Sequence, residues 1–383
     1  VRRLHVIYIS YKLQNVLADK VFHYTQDKKK AAGRALGTIV EIITFYLIKA
    51  WGLEHSTAIE KPLPEFGNEE ITHNVEFSLH PSTLLYSDSC SLENLPLTAN
   101  KIARSFIASN AEYTLQTFKS NVLLDKQNVL RNSCTIGDTS DHYLTAYHGG
   151  IKQNAIGYSV VKLHKKPYAI FECKRVGVEE GMKKGPQTIE KAKQGAYVAR
   201  TVSSLQRFRA IDGRLYGLIP KADGSYTTGE YFTLMEKVIN SNDKELLSRF
   251  VLTIGVVSNH GNWFTSEHHN KEIMVLAQSY DWLIFLTDEG ISFFTENFIL
   301  KPLPGLAGVR DAFYSSYSGK KGSNRFTKVK MDIKADLVLK KYFSNNLEVV
   351  ESWFNIITPK KDFAILRHEL KTLQEKDWQA IHS

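Results

Sequence analysis

The sequence predicts an α/β protein: a central mixed β-sheet of about five strands flanked by helices, with additional helical regions. Three observations carry this expectation. Short runs of strand composition occur at residues 143–147, 158–163, 168–175, 250–257 and 282–286. Apolar residues recur at helical spacing elsewhere, most clearly at Ile39, Ile42, Ile43, Tyr46 and Leu47. The run 168–175, Tyr-Ala-Ile-Phe-Glu-Cys-Lys-Arg, is apolar on both faces until its end, as a central strand covered on both sides is.

A chain of 383 residues can bury a sizeable core as one large domain or two. Lys and Arg number 49 against 40 Asp and Glu, and the resulting charge of +9 favours a polyanionic partner. Cys90, Cys134 and Cys173 are few, odd in number and widely spaced. That argues for a reducing compartment and against a disulfide framework or zinc knuckle. The opening Val-Arg-Arg-Leu-His-Val-Ile-Tyr lacks the apolar stretch and small-residue cleavage site of a signal peptide. The most apolar stretch, residues 35–53, is interrupted by Glu41 and Lys49, so a buried amphipathic helix explains it better than a membrane span. We therefore expect a soluble cytoplasmic protein.

Taken in order, residues 1–135 read as a largely helical region. Residues 4–27 form a helical lead-in, a helix at 31–51 packs on the core, and a further helix runs from about 100 to 124. Between them, Pro62, Pro64 and Gly67 mark a loop, and residues 72–77 look like a short strand. Glu76, His73 and His80 lack metal-ligand spacing and read as structural or surface groups. Residues 136–300 form the expected core, opening on Asp138 and Asp141 and turning at Gly149-Gly150. After Lys174 comes a Gly-rich loop carrying Lys183 and Lys184, suited to touching phosphates, and then a helix at 187–209. His260, His268 and His269 read as a turn and a helix start, because adjacent histidines point apart and no second ligand pair has zinc spacing. Residues 301–383 open as a basic loop with Lys320, Lys321, Asn324 and Arg325, able to meet phosphates and base edges. Helices at 335–357 and 361–381 follow, separated at Pro359, with apolar faces for packing or a dimer contact.

In a strand, Glu172 and Lys174 project from the same side. Burying such charges is costly unless they are paired or bound to a metal. A carboxylate there can hold Mg2+, and a neighbouring lysine can orient a water. The plainer alternative is a surface Glu–Lys pair on an edge strand. Glu-Cys-Lys at the end of an apolar strand resembles the E-x-K half of the PD-(D/E)xK motif of type II restriction endonucleases, and the likeness is clearest over residues 138–210.

The resemblance implies a bacterial, Mg2+-dependent, sequence-specific endonuclease of double-stranded DNA that leaves 5′-phosphate ends. It implies a homodimer on a palindromic site, since two-fold protein symmetry matches two-fold DNA symmetry, and a cognate DNA methyltransferase as companion. It places the first acid at the entrance to the strand at 143. Asp141 stands there with Asp138 as rival, and no Pro precedes either one. On this reading Asp141 and Glu172 hold the metal and Lys174 positions the attacking water. Glu41 supplies an acid from the preceding helix, and Gln194 matches a position that relatives project toward DNA. Three other functions stay open: a repair or junction-resolving nuclease with the same centre, a non-catalytic DNA-binding protein, and a basic enzyme that does not act on nucleic acid.

Overall fold

The computed structural model describes residues 13–23, 25–176, 195–259, 271–317 and 324–382. Its first long element is the helix Lys28–Ala50, matching the helix expected at 31–51. Asp27 starts it by accepting a hydrogen bond from the Lys30 amide, satisfying one of the first-turn donors that lack helical partners. Ile39, Ile42, Ile43, Tyr46 and Leu47 are all buried. This helix is long and apolar enough to cross a bilayer, but 67% of its most apolar window is covered by the protein itself.

Seventeen strands, numbered here in chain order, are found among the described residues. A six-stranded sheet runs in the order β1 (Thr57–Glu65), β2 (Asn68–Leu79), β10 (Ala169–Val176), β14 (Leu252–Asn259), β15 (Trp282–Leu286) and β17 (Phe354–Thr358). β10 pairs antiparallel with β2 and parallel with β14, and β14 is parallel to β15. A second sheet orders β3 (Ser82–Ser91), β9 (Ala155–His164), β8 (His142–Lys152) and β7 (Cys134–Asp138). A third joins β16 (Lys330–Asp332), β6 (Val129–Arg131), β5 (Val122–Leu124) and β4 (Leu97–Thr98). A small sheet contains β11 (Gln206–Arg209), β12 (Leu215–Pro220) and β13 (Tyr226–Glu230).

The α/β class and mixed sheet agree with the sequence, with six strands in place of about five. The hairpin β8–β9 does not join the central sheet. Leu144, Ala146, Ile156, Tyr158 and Val160 instead pack with Leu97, Ile102, Phe106 and Leu124 in a separate core. Residues up to 135 carry six strands as well as helices, so this region is less helical than expected. The helix expected to reach 124 ends at Ile107, where the Asn110 side chain donates to the Phe106 carbonyl. The basic region after 301 contains a helix, Ala307–Tyr317, and the end of the helix expected at 335–357 is the edge strand β17.

Two units emerge, each assembled from three segments. One comprises Val1–Ile59, Ser82–Lys165 and Asp288–Trp353, and the other Glu60–Pro81, Lys166–Thr287 and Phe354–Ser383. The expected divisions at 135 and 300 therefore differ from the observed segments. The E-x-K strand and the hairpin carrying Asp141 fall in different units.

The first unit is pinned by buried charge. The Lys49 ammonium lies 2.8 Å from Asp336, the Tyr46 hydroxyl donates to the same carboxylate at 2.6 Å, and Lys49 also approaches Glu54 at 3.4 Å. His148 Nε2 stands 2.8 Å from the other Asp336 oxygen, as a charge contact rather than an aligned hydrogen bond. Burial would push the Asp336 carboxyl up, but Lys49 and His148 hold it well below the usual carboxylate range. Burial likewise opposes the Lys49 charge, and Asp336 and Glu54 overcome it, leaving the amine above its ordinary value.

Removing one partner of a buried pair strands the other, so Asp336→Asn is expected to cost about 3–5 kcal/mol in urea unfolding at neutral pH. The wild-type advantage should be complete above the unfolded carboxylate pKa of about 4 and should be lost as pH falls through the depressed folded value. A loss below about 1 kcal/mol would mean that the pair behaves like an exposed one.

Candidate functional site

β10 lies inside the central sheet, and Tyr168, Ala169, Ile170 and Phe171 are fully buried. Its antiparallel pairing with β2 runs through Ala169 with Leu79, Ile170 with Ser78 and Phe171 with Phe77. The next pair in register is Glu172 with Glu76, and there side chains replace the backbone ladder. The Glu76 amide donates to the Glu172 carboxylate at 3.1 Å, and the Cys173 amide donates to the Glu76 carboxylate at 2.6 Å. Each acid thus satisfies an amide that the parting strands leave open.

Lys174 completes the group, with its ammonium 3.3 Å from the Glu172 carboxylate. The Glu172 side chain is 7% exposed and that of Lys174 30%, so the group opens outward from the acid toward the amine. Burial pushes the Glu172 carboxyl up, Lys174 pulls it back, and the like charge of Glu76 helps leave it raised overall. Burial also opposes charge on Lys174, but Glu172 and Glu76 outweigh it and keep the amine protonated above its usual range.

On the other side, β14 sets Gly255 beside Glu172 and Val257 beside Lys174. A Cβ at Gly255 would meet the Tyr280 ring at 2.7 Å and Leu283 at 2.8 Å, so the ring fills the space a side chain there would take. Tyr280 is fully buried, and burial, followed by the charges of Glu172, Glu76 and Cys173, raises its phenol well above the ordinary value.

The expected site residues are only partly gathered. Glu172 and Lys174 meet as read from the strand period, and the acid from the adjoining strand is Glu76. Asp138 and Asp141 lie in the other unit and are engaged there. Lys119 and Lys165 each reach Asp138 at 2.9 Å; against the opposing effect of burial, they hold its carboxyl low. Asp141 pairs with His142 at 2.9 Å and accepts from Thr139 at 3.0 Å, and the His142 contact leads in lowering its carboxyl. Glu41, also in that unit, lies 3.4 Å from Lys328.

Arg325 is not a projecting contact residue. Its side chain donates to the Gln127 carbonyl and lies 3.7 Å from Asp332, while Asn324 beside it is exposed with φ of 45°. Lys183, Lys184, Gln194, Lys320, Lys321 and the three histidines at 260, 268 and 269 lie outside the described residues. The helix expected through 209 is described over 195–201, after which Ser203 takes the amides of Leu205 and Val251 and β11 begins. Arg207 in β11 is committed internally, to Asp281 at 2.6 Å and the Tyr231 hydroxyl at 2.7 Å. It borders a cavity of about 220 Å3 that Arg200, Arg209 and Gln278 also line.

Sequence reasoning missed Glu76 because it lies 96 residues before Glu172. The available signal was its strand. Val75, Phe77 and Leu79 are buried on one face, and that period puts Glu76 on the other.

Among the described residues, no group of three or more His, Cys, Asp and Glu side chains forms a metal cage. Mg2+ does not require one: it is usually held by one or two carboxylates while keeping waters and substrate oxygens. Two hard-oxygen acids from adjoining strands, one accepting the other's amide, match that donor set. No family model, curated protein or solved structure matches the chain.

The raised carboxyl has a pH consequence. Relative to Glu172→Gln, the wild-type chain should gain stability as pH falls from neutral through the folded pKa of Glu172, with the gain complete below the unfolded value of about 4.3. Denaturant unfolding at stepped pH measures the gap; a gap independent of pH would show that Glu172 is not held up.

Proposed function

We propose that this chain is a Mg2+-dependent deoxyribonuclease whose centre is Glu76, Glu172 and Lys174. The observation that carries the reading is the meeting of two acids from adjoining strands with a lysine two residues beyond one of them, where the backbone pairing opens. On this reading the first acid of the PD-(D/E)xK resemblance is Glu76 in place of Asp141 or Asp138, and the E-x-K half is unchanged. The formal charge of +9 suits a polyanionic substrate.

Glu76 and Glu172 would hold the cation, which would offset charge developing on the scissile phosphate. Lys174 is the group placed to orient water and to favour its deprotonated form. The water oxygen forms a bond to phosphorus as the P–O3′ bond breaks. One water proton is released to solvent and the leaving oxygen takes up another, giving 5′-phosphate and 3′-hydroxyl ends. The finer proposal is a type II restriction enzyme acting as a homodimer on a palindromic duplex site, with a DNA methyltransferase companion.

The test is digestion of plasmid and short duplexes with Mg2+, with end mapping. Discrete bands are expected, whereas a preference for branched or damaged DNA would move the reading to repair or junction resolution. Lys174→Ala, Glu76→Gln and Glu172→Gln should each lower cleavage by on the order of 100-fold or more. Lys174→Ala should retain DNA binding in Ca2+. Asp138→Asn and Asp141→Asn should cleave like wild type. Absence of nicking under any divalent ion would remove the proposal.

A further inference from the structure

Tyr280 presents a polar atom that packing does not explain. It sits among Ala196, Val257, Ile273 and Leu276, and its hydroxyl has no hydrogen-bond partner among the described residues. A buried hydroxyl without a partner is unfavourable, and phenylalanine would fill the same volume without that cost.

Two glycines direct the hydroxyl toward the acid–lysine group. Gly255 vacates the position beside Glu172, and the Tyr280 ring lies in that space. At Gly195, a Cβ would come 3.0 Å from the Tyr280 oxygen, 2.6 Å from Lys174 Cε and 3.5 Å from its ammonium nitrogen. The absent side chain at Gly195 therefore lets the Lys174 side chain and the Tyr280 hydroxyl pack into one corner. Among the described residues the Tyr280 hydroxyl makes no hydrogen bond there, so it keeps its donor capacity.

We infer that the Tyr280 hydroxyl is a working part of this site, donating a hydrogen bond to the water that Lys174 orders. The inference rests on the nuclease reading above and adds a residue to it. A phenol in this setting stays protonated, so it serves as a donor and leaves proton removal to other groups. Acting on the same water as Lys174, it would fix the nucleophile's position, and the cost of misplacing that nucleophile falls on turnover rather than on substrate affinity.

The experiment compares full-length wild type, Tyr280→Phe and Lys174→Ala. It measures kcat and KM on duplex DNA with Mg2+ or Mn2+, Ca2+ binding by calorimetry, and thermal unfolding. Tyr280→Phe is expected to lower kcat about 10- to 100-fold. Its KM and Ca2+ affinity should stay unchanged, and its Tm should be equal to or above that of wild type. Wild-type kcat in Tyr280→Phe, beside an inactive Lys174→Ala, would overturn the inference and leave the nuclease reading standing. A Tm drop of more than about 5 °C would also overturn it, by showing that the hydroxyl has a structural partner. A wild-type chain that neither binds Ca2+ nor nicks DNA would end both.

Discussion

The exchange of backbone for side-chain hydrogen bonds at the β2–β10 boundary governs the second unit. Up to Phe171 and Phe77 the two strands satisfy one another. One step further, each strand contributes a carboxylate that accepts an amide from its neighbour. The arrangement resolves a conflict, because a buried carboxylate needs donors and two parting strands leave donors unpaired. It also brings two carboxylates to one place, with the Lys174 ammonium 3.3 Å from that of Glu172. Two carboxylates meeting from adjoining strands are suited to a cation, and the proposed chemistry follows from that meeting rather than from the identity of either acid.

The same logic, with the balance reversed, operates in the first unit. Asp336 is surrounded by Lys49, His148 and the Tyr46 hydroxyl, and it is held far toward ionisation. There the charges close on one another. Both groups are buried carboxylates, but one is drawn down by cations and the other is kept up by burial and a second acid. That difference separates a structural pin from a candidate reactive site.

How much of this was legible in the sequence depended on the range of the interaction. Glu172 and Lys174 were readable because a two-residue period is local and an apolar strand ending in charges is unusual. The helix at Lys28–Ala50 was readable for the same reason, from its spacing of Ile and Tyr. Glu76 was not, because nothing within residues 72–77 reports which strand will lie beside it; that is set by register across 96 residues. Asp141 attracted attention by position, yet its carboxylate is taken by His142 and Thr139, a purely local turn. The hairpin β8–β9 was recognised as strands and assigned to the wrong sheet, since alternation identifies a strand without naming its neighbours.

The interleaving of segments bears on how a nascent chain matures. β10 pairs with β2 from the segment Glu60–Pro81 and with β14 from Lys166–Thr287, while β17 arrives in the segment that starts at Phe354. During synthesis the amides on the outer side of β15 therefore wait, unpaired, until β17 leaves the ribosome. The Trp282 indole waits equally long for Glu369, which it reaches at 2.8 Å. Such late, distant closures slow assembly and leave a strand edge available for intermolecular pairing in the meantime. The second unit cannot mature as an early independent piece, and a cell making it quickly would have reason to shield that edge with a chaperone.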